Sequence, residues 1–279
     1  PSVEFAWIAL GSHGRREPVP SSDVDSGLAW SDPATGAEEE AEARLRAIAA
    51  DVADTVEVLG WKLDAHGVTA AGVFAAHSIS DWRRIIPKWL SEPSDERVLV
   101  ATSVLLDGRV VRGPADLDPT AVLHEHARDS ALLHWMLRLA LASKPPTGFL
   151  RDLVVAASGE RDKALDIKHA GLLPVVELAR YAALETGSRA RSTRERLRDA
   201  ASAGNLAEQD ARVLAEAHQL FSGLRLEHQV ERLRTGSEPD DLLDPRELNA
   251  LTRRYLRDAF REVSAVQKGL ARKLNRPFG

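Results

Sequence analysis

The chain has no cysteine in 279 residues. That excludes disulfides, thiolate metal sites and thiol nucleophiles, and it fits a reducing compartment. No apolar run approaches the roughly 20 residues needed to span a bilayer, so no membrane partner is expected. A secretory signal pattern is also missing, and the first residues are already strand-like. The cytoplasm is therefore the expected location. There is no excess of positive charge either: 37 Lys and Arg face 42 Asp and Glu, for a net charge of −5. No global field draws the chain to an anionic membrane, and a nucleic-acid acceptor is disfavoured. Internal repeats and low-complexity tracts are absent. With 44% apolar and 28% charged residues, the chain reads as globular and is long enough for one large domain or two ordinary ones.

One short segment carries most of the chemistry. The apolar run Phe5–Leu10 ends at Gly11-Ser12, a turn with Gly14, Arg15, Arg16 and Glu17 follows, and a second run opens with Asp23-Val24-Asp25. In a strand, residues i and i+2 share a face, so Asp23 and Asp25 aim two carboxylates at one place. Facing carboxylates repel, and a divalent cation removes that cost. A Gly-Ser turn can offer N–H groups and a hydroxyl to phosphate oxygens. A phosphate cradle beside paired carboxylates is the equipment for metal-assisted attack on a nucleotide α-phosphate. Alone, either element is common: most Gly-Ser pairs are only turns, and most Asp-x-Asp pairs lie on solvated strands. Their order and spacing give the pair its weight.

Residues 4–11 and 23–31 read as strands, the first apolar enough to be buried on both faces. Helical spacing of Ala41, Leu45, Ile48, Val52 and Val56 predicts a helix over 37–58. A strand is expected around Val68–Phe74. A short helix fits 80–91, with Trp82 and Trp89 in its core face and Pro87 expected to kink or break it. The β-branched stretch Val98–Leu106 reads as a strand ending at Asp107-Gly108, a pair that is also a common hairpin turn. A long amphipathic pattern covers 119–143, and Lys144-Pro145-Pro146-Thr147-Gly148 breaks it, placing a domain boundary there. Downstream the chain reads as helical. Pro174 suits a first turn, Gly187 a cap, Ser192-Thr193-Arg194-Glu195 a capping box, and Asp244-Pro245-Arg246-Glu247 the start of a last helix with Leu248, Leu251, Tyr255, Ala259, Val263, Val266 and Leu270 inward. The histidines of His124-Glu125-His126 diverge on a helix and make a poor metal clamp. His13, inside the phosphate turn, is a candidate substrate contact. A first strand with no element before it points to a chain that continues upstream, although Pro1 equally fits removal of an initiator methionine.

Gly-Ser, then Gly-Arg-x-Glu, then Ser-Asp-x-Asp resembles the nucleotidyltransferase superfamily that includes polymerase beta. The likeness is closer to protein-PII uridylyltransferase, and closest to the nucleotidyltransferase family often joined to CBS or cyclic-nucleotide-binding domains. It continues through Leu105-Leu106-Asp107 with Arg109, Leu165-Asp166-Ile167-Lys168, Gly171-Leu172-Leu173-Pro174, Thr193-x-Glu195-Arg196-Leu197 and Leu224-Arg225-Leu226-x-His228-Gln229. The resemblance implies an α+β fold, with a mixed sheet and helices in a catalytic domain at 1–143 and an all-helical substrate-binding bundle at 144–279. It implies that Gly11 and Ser12 hold the β,γ-phosphates and that Asp23, Asp25 and Asp107 bind Mg2+ or Mn2+, with Asp107 on a later strand helping to activate the acceptor hydroxyl. Arg15 would neutralise phosphate charge, and Lys168 would reach the triphosphate; from the residues themselves, Glu17 is placed to pair with either Arg15 or Arg16 and orient it. The chain departs from its closest family at Val24 and Ser26, where Gln and Asn are expected; there it looks more like the uridylyltransferase branch.

The implied activity is metal-dependent transfer of a nucleoside monophosphate from an NTP to a hydroxyl on a protein or small molecule, with pyrophosphate release, in signalling. The partners are then an NTP, an acceptor and an upstream regulatory domain in the parent chain. The alternative is a non-catalytic nucleotide-sensing module that keeps the fold.

Overall fold

The computed structural model describes residues 3–64, 68–72, 74–91, 96–126, 130–146 and 164–274. The chain divides into two compact units, Pro1–Pro18 with Ser22–Leu132 and Val19–Ser21 with Leu133–Gly279. The first is a mixed α+β unit and the second is dominated by helices, as expected.

In the first unit, β1 (Phe5–Ala9) is followed by a short helix α1 (Gly11–Arg15), then by β2 (Ser26–Trp30) and α2 (Glu38–Val58). Next come β3 (Ala76–Ser78), α3 (Ile79–Ser91), α4 (Glu96–Leu105), β4 (Arg109–Arg112) and α5 (Pro119–His126). The sheet order is β3-β2-β1-β4. β1 lies antiparallel to β2, with Trp7 opposite Leu28, and antiparallel to β4, with Ala9 opposite Arg109; β2 and β3 are parallel. On one sheet face Leu28 and Trp30 pack with Leu45 and Ala49 of α2, and Phe5 and Trp7 cover the edge of that cluster, only partly buried. β1 thus buries Ala6 and Ile8 completely and its other face in part, so the expectation of burial on both faces holds for one.

Several elements differ from the sequence reading. α2 turns Leu45 and Ala49 inward, while Ile48 and Val52 are exposed. Among the described residues of Val68–Phe74 there is no strand; the third strand lies at Ala76–Ser78 instead. Pro87 sits inside α3 without breaking it, with Trp82, Ile86 and Leu90 buried. Val98–Leu106 is not a strand but most of α4. Leu99, Thr102, Ser103 and Leu106 are buried there at helical spacing, and that face outweighs the β-branched composition. Asp107-Gly108 therefore ends a helix: Asp107 N donates to Val104 O at 3.1 Å and Gly108 N to Leu105 O at 2.9 Å.

In the second unit, α6 (Ser130–Ala142) precedes a two-residue strand β5 (Leu165–Asp166), a π-helical turn (Lys168–Leu172) and α7 (Leu173–Thr186). α8 (Thr193–Ser202), α9 (Glu208–Arg234), β6 (Leu242–Leu243) and α10 (Ala250–Leu274) follow. β5 and β6 form a short antiparallel ribbon, which the all-helical expectation missed. The unit break falls at 132/133 and not after 143. Lys144-Pro145-Pro146 does end α6, but the helix is tied to this unit through Gln267, whose Nε2 donates to Ala140 O at 2.9 Å and Ser143 O at 2.7 Å. The residues read as one pattern over 119–143 form α5 and α6, and 127–129 lie outside the described residues.

α7 is buried from Pro174 to Leu184 and ends at Gly187 in the left-handed conformation, φ 73°. Ser192 caps α8 as expected, accepting from Glu195 N at 3.3 Å. Stacked Phe221 and Phe260 sit at the core, 5.1 Å between centroids. α10 starts later than Asp244-Pro245 predicts. Asp244 instead folds an Asx turn onto Arg246 N (2.8 Å), Asn249 accepts from Thr252 N (2.9 Å), and Leu251 and Tyr255 point outward.

Candidate active site

β1 stops at Leu10, whose N–H donates to Asp25 O at 3.0 Å, and the chain turns directly into α1. The expected turn is thus a short helix. Gly11 has φ +50°, and a Cβ there would stand 2.0 Å from Asp25 Oδ2. Only a residue without a side chain lets the Asp25 carboxylate lie this close to the helix. Val24 is held in extended conformation by a bridge to Leu63, its N–H donating to Lys62 O at 2.7 Å. Asp23 and Asp25 flank Val24, just before β2, where extended backbone turns residues i and i+2 to one side. The structure thus brings Gly11 and Asp25 together. Ser12, beside Gly11, is half-buried, and its carbonyl accepts from Glu17 N at 2.9 Å.

The other end of α1 faces different groups. A Cβ on Gly14 would lie 2.2 Å from the Asp107 carbonyl oxygen and 2.8 Å from that of Ala9. Arg109 Nη2 donates to His13 O at 3.1 Å, and its Nε to Gly14 O at 3.4 Å. Arg15 makes two ion pairs, Nε to Glu17 at 2.8 Å and Nη1 to Asp107. Glu17 therefore orients Arg15, as the sequence suggests. Asp107 is fully buried and leads out of α4 instead of sitting on a strand. Among the described residues no three carboxylates or histidines gather where they could hold a metal ion, so the expected cluster of Asp23, Asp25 and Asp107 is not formed. Of the three, the Asp25 carboxylate occupies the space that a side chain on Gly11 would fill.

Burial, and then the charge of Arg109, lower the pKa of His13 below its ordinary 6.5, so the ring is neutral at pH 7. Its Nε2 is buried without a hydrogen-bond partner, and Trp61 lies edge-on at 5.7 Å. Lys168 opens the π-helical turn of the other unit, half-buried. Trp82 is core; with Trp89, Phe74, Leu10 and Leu105 it also lines an apolar cavity of about 480 Å³.

Residues 130–274, more than half of the chain, match the family described as "Putative nucleotidyltransferase substrate binding domain", and residues 1–96 match "Putative nucleotidyltransferase DUF294". The chain belongs to this nucleotidyltransferase family. No curated protein matches it. The two matches leave Asp107 outside both, while Gly11, Ser12, Arg15, Asp23 and Asp25 lie in the first and Lys168 in the second. No helix among the described residues of this nucleotidyltransferase is long and apolar enough to cross a membrane.

Two sets of polar residues stand in the sequence only as parts of the resemblance, with no role attached to them. One is Arg109, whose donors hold the carbonyls of α1. The other is in the helical unit, where Ser21 is gripped by α9. Gln229 Nε2 donates to Ser21 Oγ at 2.6 Å, Arg225 Nη2 to the same oxygen at 3.1 Å, and Ser21 N–H to Gln229 Oε1 at 3.0 Å. Asp241 completes the set, accepting from Arg225 Nε at 2.6 Å and from Gln229 Nε2 at 2.6 Å. The available signal was an arginine and a glutamine four apart, on the stripe that carries Leu214 and Phe221.

Proposed function

We propose that this nucleotidyltransferase uses Mg2+ or Mn2+ to move a nucleoside monophosphate from an NTP to a hydroxyl of a protein or small-molecule acceptor. The observation that carries the reading is the seat of Asp25 against Gly11, one residue past Val24 from Asp23. The acceptor oxygen forms a bond to the α-phosphorus, the bond from that phosphorus to the bridging oxygen breaks, and pyrophosphate leaves with the electron pair. The hydroxyl proton goes to water. Asp23 and Asp25 would hold the cation, which when bound would lower the acceptor's pKa and offset charge on the triphosphate. Gly11 and Ser12 receive the β,γ-phosphates, and Arg15 and Lys168 add positive charge.

The departures at Val24 and Ser26 support a uridylyltransferase-like preference. Ser26 is buried, and its Oγ accepts from Ala70 N at 3.0 Å, so a longer amide there requires a different arrangement of the 68–72 segment. The acceptor belongs to the helical unit in this reading. A cavity of about 550 Å³ lies there, lined by His228, Arg232, Asp240, Asp244 and Arg246, with charges of both signs. A signalling role in the cytoplasm follows from the resemblance to regulatory uridylyltransferases.

The burial of Asp107 and its pairing with Arg15 favour a second reading, a nucleotide-sensing module that binds without turnover. Pyrophosphate separates the two. A panel of the four NTPs with Mg2+ or Mn2+, using lysate fractions as acceptor source, should release pyrophosphate with one NTP above the rest. Nucleotide binding without pyrophosphate from any of them would favour the sensing module.

A further inference from the structure

The third carboxylate of this site is placed where a cation cannot reach it without rearrangement. Asp107 has no exposed surface, its Oδ2 accepts from Arg15, and its backbone carbonyl packs against Gly14. Two residues on, Arg109 donates to the carbonyls of His13 and Gly14. The 107–109 stretch therefore acts as a backing for the last turn of α1. Arg15 is gripped on two of its nitrogens, by Glu17 at Nε and by Asp107 at Nη1, and among the described residues Nη2 has no protein partner. A guanidinium fixed on two edges is a planar donor with one edge free, the arrangement that suits a phosphate oxygen.

We propose that Asp107 is a positioning residue that sets Arg15 against the triphosphate, and that the cation is held by Asp23 and Asp25 without it. This rests on the metal reading given above. It also explains why the three carboxylates do not converge. The charges balance in number: Asp107 and Glu17 are both paired with Arg15, and Arg109 sits on the backbone carbonyls of α1.

The test is Mn2+ affinity by electron paramagnetic resonance on the full chain, with Mn2+ alone as probe, for wild type, Asp25→Asn, Asp107→Asn and Arg15→Gln. Asp25→Asn should weaken Mn2+ about tenfold or more, since ligand charge sets affinity at a carboxylate site. Asp107→Asn and Arg15→Gln should leave it within about twofold. With the NTP that supports turnover, both of these should raise KM about tenfold, with kcat falling less, and the double variant should be no worse than either alone. If Asp107→Asn does not fold, Arg15→Met with Asp107→Leu removes the buried pair together and reads the same Mn2+ affinity. Loss of Mn2+ binding in Asp107→Asn, or in that double variant, to the extent seen in Asp25→Asn would overturn the assignment. An Asp25→Asn protein that binds Mn2+ like wild type would overturn the metal reading itself, and the assignment with it.

Discussion

Replacing Gly11 by alanine separates the proposed seat of Asp25 from the fold. The new Cβ would stand 2.0 Å from Asp25 Oδ2, so the carboxylate must withdraw by about 1 Å to reach the shortest contact real side chains make. Gly11 also has φ +50°, and an L residue there costs about 1–2 kcal/mol. A carboxylate pushed off its rotamer adds about 0.5–1.5 kcal/mol. The expected loss of stability is about 2–3 kcal/mol, read by urea denaturation with tryptophan fluorescence. That is tolerable for a domain whose total is about 5–15 kcal/mol. The catalytic loss is larger, because a reacting group displaced by about 1 Å costs about 100-fold in rate. Gly14→Ala is the contrast. Its Cβ meets two backbone carbonyls, those of Asp107 at 2.2 Å and Ala9 at 2.8 Å, which cannot swing aside as a side chain can. It should cost about 3 kcal/mol or more and damage the first unit itself. A Gly11→Ala protein with wild-type Mn2+ affinity and turnover would refute the reasoning, because Asp25 would then not need the space that Gly11 leaves.

Asp25→Asn should keep the fold and lose transfer by orders of magnitude, measured by circular dichroism and pyrophosphate release, since the charge that holds the cation is worth several kcal/mol. Stability should fall as pH drops below about 6.5. Burial lowers the pKa of both His13 and His77, so the unfolded chain takes up protons there before the folded one does; His77→Asn should flatten that slope in urea melts. Arg225→Ala should destabilise the helical unit by about 3 kcal/mol, because it strips the salt bridge from the part-buried Asp241 and a donor from Ser21, and thermal denaturation reads it. Arg16 is exposed with φ 63°, so Arg16→Gly should raise the melting temperature slightly, by relief of up to about 1 kcal/mol of strain.

The parts of this chain that sequence reveals are those with one strong local cause. Asp23-Val24-Asp25 after an apolar strand, the Ser192 capping box and the Gly187 cap each follow from chemistry within a few residues. Val98–Leu106 misled because nearly every residue is apolar, so its helical face at Leu99, Thr102, Ser103 and Leu106 stands out only once packing is known. The outward turn of Ile48, Val52, Leu251 and Tyr255 has the same origin: an apolar stripe can be wider than the surface available to cover it. The site shows the harder limit. Gly11 and Asp25 are close through strand pairing, which the alternation of the two strands implies. The pairing of Arg15 with Asp107, 92 positions apart, and of Ser21 with Gln229, 208 apart, depends on long-range packing that no local pattern encodes.

The central claim is nucleotidyl transfer, and the position of the label in a radioactive NTP tests it most directly. With the purified chain, Mg2+ and an acceptor fraction, α-labelled NTP should leave its label on the acceptor, while γ-labelled NTP should release its label as pyrophosphate, and Asp25→Asn should do neither. Transfer of the γ-label to the acceptor, or release of γ-label as inorganic phosphate with none of the α-label transferred, would contradict the account.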